Sequence, residues 1–339
     1  MQEQKPKKQK QQIRVPQLAV SKRFGKYKPE EKKEERKVRV KENEALDHLK
    51  EAWQTYRCRF HSIHPYSSGF LDIVNGPYSK ALSKVSSLHY SALDAERFSV
   101  LLSGFQDDQL ICEKTGLFLS ALINNGIGDS FHVFTRQLDH KPFFMGYLNG
   151  KIIEVEGGCG NYLGVGMQNG GILVDGDVGD SIGCGMKNGK IEIMGNAAND
   201  VGYVSPYQWM AQPLLMQGGT IVVHGNVGDR IGIGMKNGKI IIKGNAGDHV
   251  GAAMRGGEII IEGDVKDDLG VFFDFGHVNA GTGMRMWMVG GTITVRGNAG
   301  ENVGQLMGGG EIHVEGEIGS IGNVIHGKIF HKGKLIVDK

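Results

Sequence analysis

Acidic side chains recur at one position of a repeated stretch in the C-terminal half of the chain, an arrangement that can bind cations. They are Asp180, Asp229, Asp248 and Glu301. Calcium-binding β-rolls stack carboxylates in this way, but they use a repeat much shorter than the 19 residues found here. Asn199 and Ser320 also interrupt the series. We therefore expect these side chains to stabilise turns rather than to hold a metal ion.

A second series of short polar side chains runs beside the first. Its members are Asp177, Asn196, Asn226, Asn245, Asp264 and Asn298. Amide and carboxylate side chains at one position of successive repeats can hydrogen-bond along the stack. The sequence predicts such a ladder here.

Paired glycines could instead cradle a phosphate. Gly164-x-Gly166 and Gly183-x-Gly185 match part of a dinucleotide-binding fingerprint. That fingerprint needs a strand before the glycines and a helix after them. No helical pattern follows here, and the glycine pattern repeats along the chain, so we interpret these glycines as corner residues.

Cysteine and histidine provide the remaining candidate chemistry. Cys58, His61 and His64 have metal-ligand spacing, but the sequence offers no fourth ligand, so we treat the spacing as incidental. None of the four cysteines forms a C-x-x-C pair, so neither a disulfide framework nor a zinc ribbon is indicated. Cys159 aligns with Val178 and is expected in the core. We predict no catalytic residue, no bound metal and no cofactor.

The repeat itself is marked by a methionine that recurs every 19 residues wherever no insertion interrupts it. The methionines are Met167, Met186, Met216, Met235, Met254, Met288 and Met307. Apolar residues alternate after each one, as in Ile221 and Val223, which is typical of strands with one buried face. We interpret the methionine column as a core stack rather than a cofactor site.

Glycine or asparagine occupies the second position after each methionine, which predicts a corner with positive φ there. The glycines that follow complete the corner: Gly170, Gly189, Gly219, Gly238, Gly257, Gly291 and Gly310. Short strands joined by tight corners at a fixed period form a solenoid. We predict a mainly β protein, a right-handed β-helix of about eight coils with a small α+β N-terminal region.

The chain divides by composition into three parts. Residues 1–44 are rich in lysine and arginine and are predicted to be a disordered basic arm. Residues 45–147 are predicted to be an α+β cap, with amphipathic helices at Leu93–Leu102 and Asp108–Ile123 and a strand near Ser130. A short exposed helix is expected from Glu44 to Trp53. Residues 148–339 form the β-helix. With neither a signal peptide nor a membrane-spanning run in the sequence, we expect a cytoplasmic protein.

Two insertions, 204–215 and 271–287, interrupt the period. They carry the aromatic and methionine residues that protein interfaces use as anchors. The candidate interface residues are Tyr207, Trp209, Met210, Phe272, Phe273, Phe275 and Trp287. Alternatively, the insertions fold back and bury these groups over the coil edge. The expected partners are protein subunits of a larger complex, with a homo-oligomer possible; neither a membrane nor nucleic acid is expected as a partner.

The repeat resembles a known family. Met254-Arg-Gly-Gly-Glu-Ile-Ile-Ile-Glu-Gly-Asp and Met288-Val-Gly-Gly-Thr-Ile-Thr-Val-Arg-Gly-Asn-Ala-Gly are similar to the GXGXG β-helix repeat. That repeat occurs in the gamma subunit of formylmethanofuran dehydrogenase and in its counterpart in the formyltransferase/hydrolase complex. It also occurs in the C-terminal domain of the glutamate synthase large subunit, which the chain resembles more distantly.

The resemblance covers residues 148–339. It implies a β-helix that is a non-catalytic structural subunit of a one-carbon complex, holding the catalytic subunits of an oxidoreductase in register. The alternatives are a stand-alone β-helix scaffold or adaptor with another partner, and a glutamate synthase-type domain encoded separately from its catalytic parts.

Overall fold

The computed structural model describes residues 32–59, 70–105, 110–204, 214–271, 273–274 and 285–339. The chain separates into two compact units, Met1–Lys41 and Glu42–Lys339, and the second holds nearly all the described residues. Among the described residues, no helix is both long enough and apolar enough to cross a bilayer.

Within the described residues, four α-helices precede the repeat. They are α1 (Lys32–Thr55), α2 (Phe70–Val85), α3 (Ala92–Leu101) and α4 (Ile111–Asn125). Helices α3 and α4 match the two predicted amphipathic helices. The hydroxyl of Ser91 and the carboxylate of Asp94 form a capping box at the start of α3. Helix α2 was not predicted, because Asn75-Gly76-Pro77 inside it is typical of a turn.

Helix α1 differs from the prediction in both length and burial. It begins at Lys32, so it includes residues 32–44 of the segment that was predicted to be disordered. Leu49 and Trp53 are completely or almost completely buried, whereas the sequence predicted an exposed helix. The rings of Phe98 and Phe118 pack edge-on and within 6.2 Å of Trp53. The cap therefore has an aromatic core, which is continuous with the core of the solenoid.

The rest of the chain is a parallel β-solenoid of about nine turns, one more than the predicted eight. One 11-stranded sheet runs along it, and two small sheets lie outside it. The strands are β1 (Ser130–Phe134), β2 (Ile152–Glu156), β3 (Gly171–Asp175), β4 (Lys190–Ile193), β5 (Tyr203–Val204), β6 (Leu214–Leu215), β7 (Thr220–Val223), β8 (Lys239–Ile242), β9 (Glu258–Ile261), β10 (Phe273–Asp274), β11 (Arg285–Met286), β12 (Val289–Val295), β13 (Gly308–Val314), β14 (His326–His331) and β15 (Lys334–Asp338).

The order in the long sheet is β1-β2-β3-β4-β7-β8-β9-β12-β13-β14-β15. Each strand pairs in parallel with the equivalent strand of the next coil, except that β15 folds back antiparallel on β14. Equivalent residues lie directly above one another, as in Ile240 and Ile259. The first rung is β1, which the sequence predicted only as a lead-in to the repeat.

Methionines and aliphatic residues fill the interior. All seven repeat methionines are fully buried, so the predicted core stack is confirmed. The backbone of Cys159 forms a parallel β-bridge with that of Val178, and the Cys159 side chain is buried, as predicted. Burial raises the pKa of the Cys159 thiol to about 12 and also raises the pKa of Cys184.

The seven predicted corner glycines all have positive φ, between 76° and 100°. The residue before each of them does not, so the positive-φ position was assigned one residue too early. Glycine at that earlier position serves close packing instead: a Cβ on Gly218 would lie 2.3 Å from the carbonyl oxygen of Lys187. The G-x-G pairs are corners as well, because Gly164 and Gly166 both have positive φ.

Candidate functional site

Both insertions leave the solenoid at the same corner. In an uninterrupted coil, Gly232-Ile233-Gly234 leads directly into Met235. At the first insertion, the antiparallel hairpin β5–β6 occupies the place of the last residue before the methionine. The hairpin β10–β11 does the same at the second insertion. The two hairpins are three coils apart, which is about 14 Å at the usual spacing of stacked strands.

The base of each hairpin is tied to this corner. The amide of Met216 donates to the carbonyl of Gly202, which closes the coil across the first insertion at 2.9 Å. After the second insertion, the amide of Val289 donates to the carbonyl of Met254 at 2.8 Å. The insertions therefore leave the stacking of the coils intact and project from it as added elements.

Apolar side chains at the hairpin bases form a cluster separate from the main core. Its members are Tyr203, Leu215, Ile233, Ala252, Ala253 and Val271, all buried. Ile233, Ala252 and Ala253 belong to the two coils that lie between the hairpins. A Cβ on Gly185 would lie 2.7 Å from Leu214, so the first hairpin also packs on the coil before it. The hairpin bases therefore pack on neighbouring coils.

The predicted interface residues are described only in part. Tyr207, Trp209, Met210, Phe272 and Phe275 lie outside the described residues. Phe273 is placed by its backbone in β10. Trp287 is 45% exposed, and Val289, two residues later, is 55% exposed.

Gly308 of the next coil helps to keep this pair exposed. A Cβ there would lie 3.6 Å from the Cβ of Trp287 and 3.7 Å from a methyl group of Val289. Because Gly308 has no side chain, nothing from that position covers the two residues. The foot of the second hairpin thus presents an exposed apolar spot formed by Trp287 and Val289, which we call the Trp287 spot. Sequence reasoning selected Trp287 but missed Val289, because valine in a strand does not mark an interface.

The acidic series of the sequence acts as a hydrogen-bond ladder. The carboxylate of Asp229 accepts the backbone N–H of Asp248 at 3.0 Å, and that of Asp248 accepts the N–H of Asp267 at 3.0 Å. The second series behaves in the same way; the amide oxygen of Asn226 accepts the N–H of Asn245 at 2.8 Å. The predicted ladder of the second series is confirmed. The acidic series, which was predicted only to stabilise turns, also bonds from one coil to the next. Asp267 also belongs to the acidic series, although the sequence did not place it there.

A third column, next to the acidic ladder, was not predicted. In seven coils the residue after the ladder position has a left-handed backbone although it is not glycine. The members are Tyr162, Ser181, Asp200, Arg230, His249, Asp268 and Asn302, with φ between 62° and 67°. Residue types vary along this column, so no sequence pattern marks it. Left-handed non-glycine residues carry strain, which surrounding contacts must offset.

Side chains of this third column contact one another between coils. The guanidinium of Arg230 donates to both carboxylate oxygens of Asp200, at 2.6 and 3.2 Å. Asp200 is buried, and this burial raises the pKa of its carboxyl above the ordinary value, an effect opposed by the bonds from Arg230. In the other direction, the ring of His249 lies 3.7 Å from the carboxylate of Asp268.

Arg230 pairs with the coil before it and His249 with the coil after it. A shallow cavity of about 230 Å³ lies between them, and its lining also includes Asp229 and Asp248. Both carboxylates already accept backbone hydrogen bonds of the ladder. We therefore interpret the cavity as a gap between two side chains that pair in opposite directions, and not as a ligand site.

Metal-ligating types do not converge in the described part of the chain: no group of three or more His, Cys, Asp or Glu there is placed to hold a metal ion. Cys58 is buried, whereas His61 and His64 lie outside the described residues. Comparison with protein-family models and with curated proteins found no match for this chain.

Proposed function

We propose that this chain is a non-catalytic scaffold that holds other protein subunits in a complex through the two hairpins and the Trp287 spot. The observation that carries the proposal is the placement of both insertions at one corner of the solenoid, three coils apart. Insertions in solenoids collect on one face, and this face is often the binding face.

Rigidity makes the solenoid suitable for this role. Successive coils are joined by parallel strand pairing, and most of them also by the two side-chain ladders. A partner docked on both hairpins would therefore meet two contact elements at a fixed separation, so little ordering entropy is lost on binding. Binding residues commonly lie on loops that a rigid scaffold positions.

We further propose, from the resemblance of the repeat, that the complex is a one-carbon complex of the formylmethanofuran dehydrogenase or formyltransferase/hydrolase type. In that setting the chain would supply no reacting group of its own. Its role would be to keep catalytic subunits in register.

Purification of the chain from its native source, followed by mass spectrometry, tests the proposal. We expect co-purification with redox or formyl-transfer subunits. Recovery with amidotransferase or flavin-dependent synthase subunits would favour the glutamate synthase-type alternative. Recovery with unrelated proteins would favour an adaptor, and recovery without any partner would contradict the scaffold function itself.

Variants of the Trp287 spot locate the contact. Trp287→Ala combined with Val289→Ser should weaken partner recovery at least about tenfold, since exposed aromatic anchors dominate interface energies. The matched control is Leu173→Ser, which changes a similarly exposed apolar residue on the open face of the sheet. Equal recovery with both variants would exclude the Trp287 spot.

Hairpin removal gives an independent test, for which the chain supplies its own template. Replacing residues 204–215 with a single glycine recreates the Gly-x-Gly-Met sequence of an uninterrupted coil, as at Gly232–Met235. We expect this variant to keep the solenoid folded, as judged by circular dichroism, and to lose a partner.

A further inference from the structure

A column of basic residues lies on the corner from which both hairpins project, here called the hairpin corner. It occupies the position directly after the repeat methionine, where Lys187, Lys236 and Arg255 are all exposed. The backbone N–H of each donates to the carbonyl of the methionine one coil earlier, at 2.9 to 3.0 Å. The three residues, which we call the basic column, therefore stand at the same position in different coils. Lys236 and Arg255 lie between the two hairpins, and Lys187 lies one coil before the first.

The basic column runs directly into the Trp287 spot. Val289 is the next residue of the same column after Arg255, because its backbone N–H donates to the carbonyl of Met254 in the same way. Adjacent coils are about 4.8 Å apart, so the four coils from Lys187 to Val289 span about 19 Å. The cations and the exposed apolar pair therefore form one continuous surface.

No acidic residue accompanies the basic column on its corner. The segments that contain the three cations, none of which includes aspartate or glutamate, are 182–189, 231–238 and 250–257. Within the described residues, the ammonium groups of Lys187 and Lys236 make neither an ion pair nor a hydrogen bond. Lysines elsewhere on the solenoid, such as Lys239 and Lys243, do pair with a glutamate of the next coil. The lysines of the hairpin corner are therefore available to an acidic group from outside.

The corner that carries the two hydrogen-bond ladders has the opposite charge. Its segments hold nine acidic and two basic residues, and they are 176–181, 195–200, 225–230, 244–249, 263–268 and 297–302. The formal charge of the whole chain is only +2. The solenoid thus separates charge between two of its corners, and such a separation selects and orients a partner of complementary charge.

We propose that the partner held at the hairpin corner contributes an acidic segment, which lies along the basic column and places an apolar side chain on the Trp287 spot. This inference rests on the proposed scaffold function and adds the chemistry of the partner to it. An extended segment of about six residues is long enough to reach from Lys187 to Val289. Its carboxylates would meet the cations, and the apolar side chain would pack on Trp287.

The observations favour an acidic protein segment over a nucleic acid. Three cations would neutralise about three phosphates, whereas proteins that bind nucleic acids commonly contact about 6–10. The ladder corner of a second copy is a weaker candidate, because a contact between two different faces would not close into a finite assembly. Its carboxylates, such as those of Asp229 and Asp248, also already accept backbone hydrogen bonds.

Fluorescence anisotropy with the full chain tests the proposal. The probe is a labelled peptide of glutamate and alanine, about 12 residues long, with phenylalanine at both ends. Matched peptides carry glutamine or lysine in place of glutamate, and a labelled oligothymidylate of similar length tests for nucleic acid. We expect the glutamate peptide to bind at least about tenfold more tightly than the glutamine peptide at about 50 mM salt, and to lose that advantage at about 500 mM, since salt screens exposed charges.

Charge reversal places the contact on the basic column. Lys187→Glu combined with Lys236→Glu should weaken binding of the glutamate peptide at least about tenfold and should strengthen binding of the lysine peptide. The matched control is Lys266→Glu combined with Lys334→Glu, which reverses two exposed lysines away from the hairpin corner and changes the net charge equally. We expect less than about a twofold effect from the control pair.

Equal losses from the two double variants would overturn the proposal, and so would equal binding of the glutamate and glutamine peptides. Tighter binding of oligothymidylate, lost in the Lys187 and Lys236 variant, would assign the column to nucleic acid instead. Self-association of the wild type that disappears in the same variant would assign it to a second copy.

Recovery of subunits from the native source separates this inference from the scaffold function. If the Lys187 and Lys236 variant recovers them as well as wild type does, while the Trp287 and Val289 variant does not, the acidic segment is excluded and the scaffold function stands. If wild type itself recovers no subunit, the scaffold function fails.

Discussion

The ion pair between Asp200 and Arg230 should be worth more than any other side-chain pair along the solenoid. It joins two coils separated in sequence by the first insertion, 30 residues apart. The Asp200 side chain is 12% exposed, and the pairing is bidentate. Removing one partner of a fully buried ion pair costs about 3–5 kcal/mol, because the other charge is left without compensation.

We predict that Arg230→Met lowers the free energy of unfolding by about 2 kcal/mol. The estimate lies below the fully buried range because the Arg230 side chain is 35% exposed, so water can reach the carboxylate once the arginine is shortened. For a chain of this size, such a loss corresponds to a fall in Tm of about 3 °C. Thermal unfolding followed by circular dichroism measures it.

A double-mutant cycle separates the ion pair from packing. Asp200→Asn keeps the shape of the side chain, and asparagine tolerates the left-handed backbone at this position. We expect it to cost about 1 kcal/mol, because its partner Arg230 can turn to water. The double variant should cost little more than Asp200→Asn alone, giving a coupling energy of about 2 kcal/mol.

The matched control is the exposed pair of Lys243 and Glu262, which also joins two successive coils. Lys243→Met should change stability by less than about 0.5 kcal/mol. Because solenoids can unfold in parts, hydrogen exchange of the Gly232 amide provides a local assay. That amide donates to the carbonyl of Val201 between the same two coils.

The pH dependence of this pair has a definite sign. Burial raises the pKa of Asp200 above its ordinary value of 3.8. The folded state therefore holds this proton to higher pH than the unfolded state. Between those two pKa values the free energy of unfolding falls as pH rises, and Asp200→Asn should remove that fall. The reasoning would be refuted if the losses of stability from the two single variants simply added in the double variant. It would also be refuted if wild type and Asp200→Asn had the same dependence of stability on pH.

Three further predictions concern the corner, the core and the cysteines. Gly189→Ala should lower the free energy of unfolding by at least about 2 kcal/mol, because φ there is positive and the new Cβ would lie 2.7 Å from a backbone oxygen. The control is Gly150→Ala, which has open space around it and should change the free energy of unfolding by less than about 0.5 kcal/mol. Chemical denaturation measures both. Met186→Ala should cost about 2–5 kcal/mol by leaving a cavity in the core, and the same change at the exposed Met194 should be nearly neutral; equal losses would contradict the core position. Because burial raises the pKa of Cys159 to about 12, its thiol should resist alkylation at pH 8 until the chain unfolds. Mass spectrometry that finds Cys159 alkylated in the folded protein would contradict this prediction.

The sequence pattern predicted the repeating part of the fold well, because each coil has the same residue types at the same positions. Alternating apolar residues gave the strands, and glycine marked the corners, although the positive φ lies one residue later than first assigned. The helical region was harder. Helix α2 contains Gly76 and Pro77, so its helical state depends on packing against α4 rather than on propensity. Trp53 is buried by aromatic neighbours from distant segments, which a charged local sequence does not reveal.

The candidate binding face shows the same division. The sequence located both insertions, because they break the period. It did not show that both leave from one corner, that their bases bury a separate apolar cluster, or that Val289 accompanies Trp287 at the surface. These properties depend on which residues become neighbours when coils of unequal length are stacked.

The sequence by itself determined the solenoid, its period, its methionine core and its stabilising ladders, because each of these depends on residues at fixed spacing along the chain. Only the tertiary structure decided the left-handed column with its Asp200–Arg230 pair and the common corner of the hairpins. The physical reason is that exposure and ion pairing are properties of the stacked surface. Identical positions in successive coils meet different neighbours.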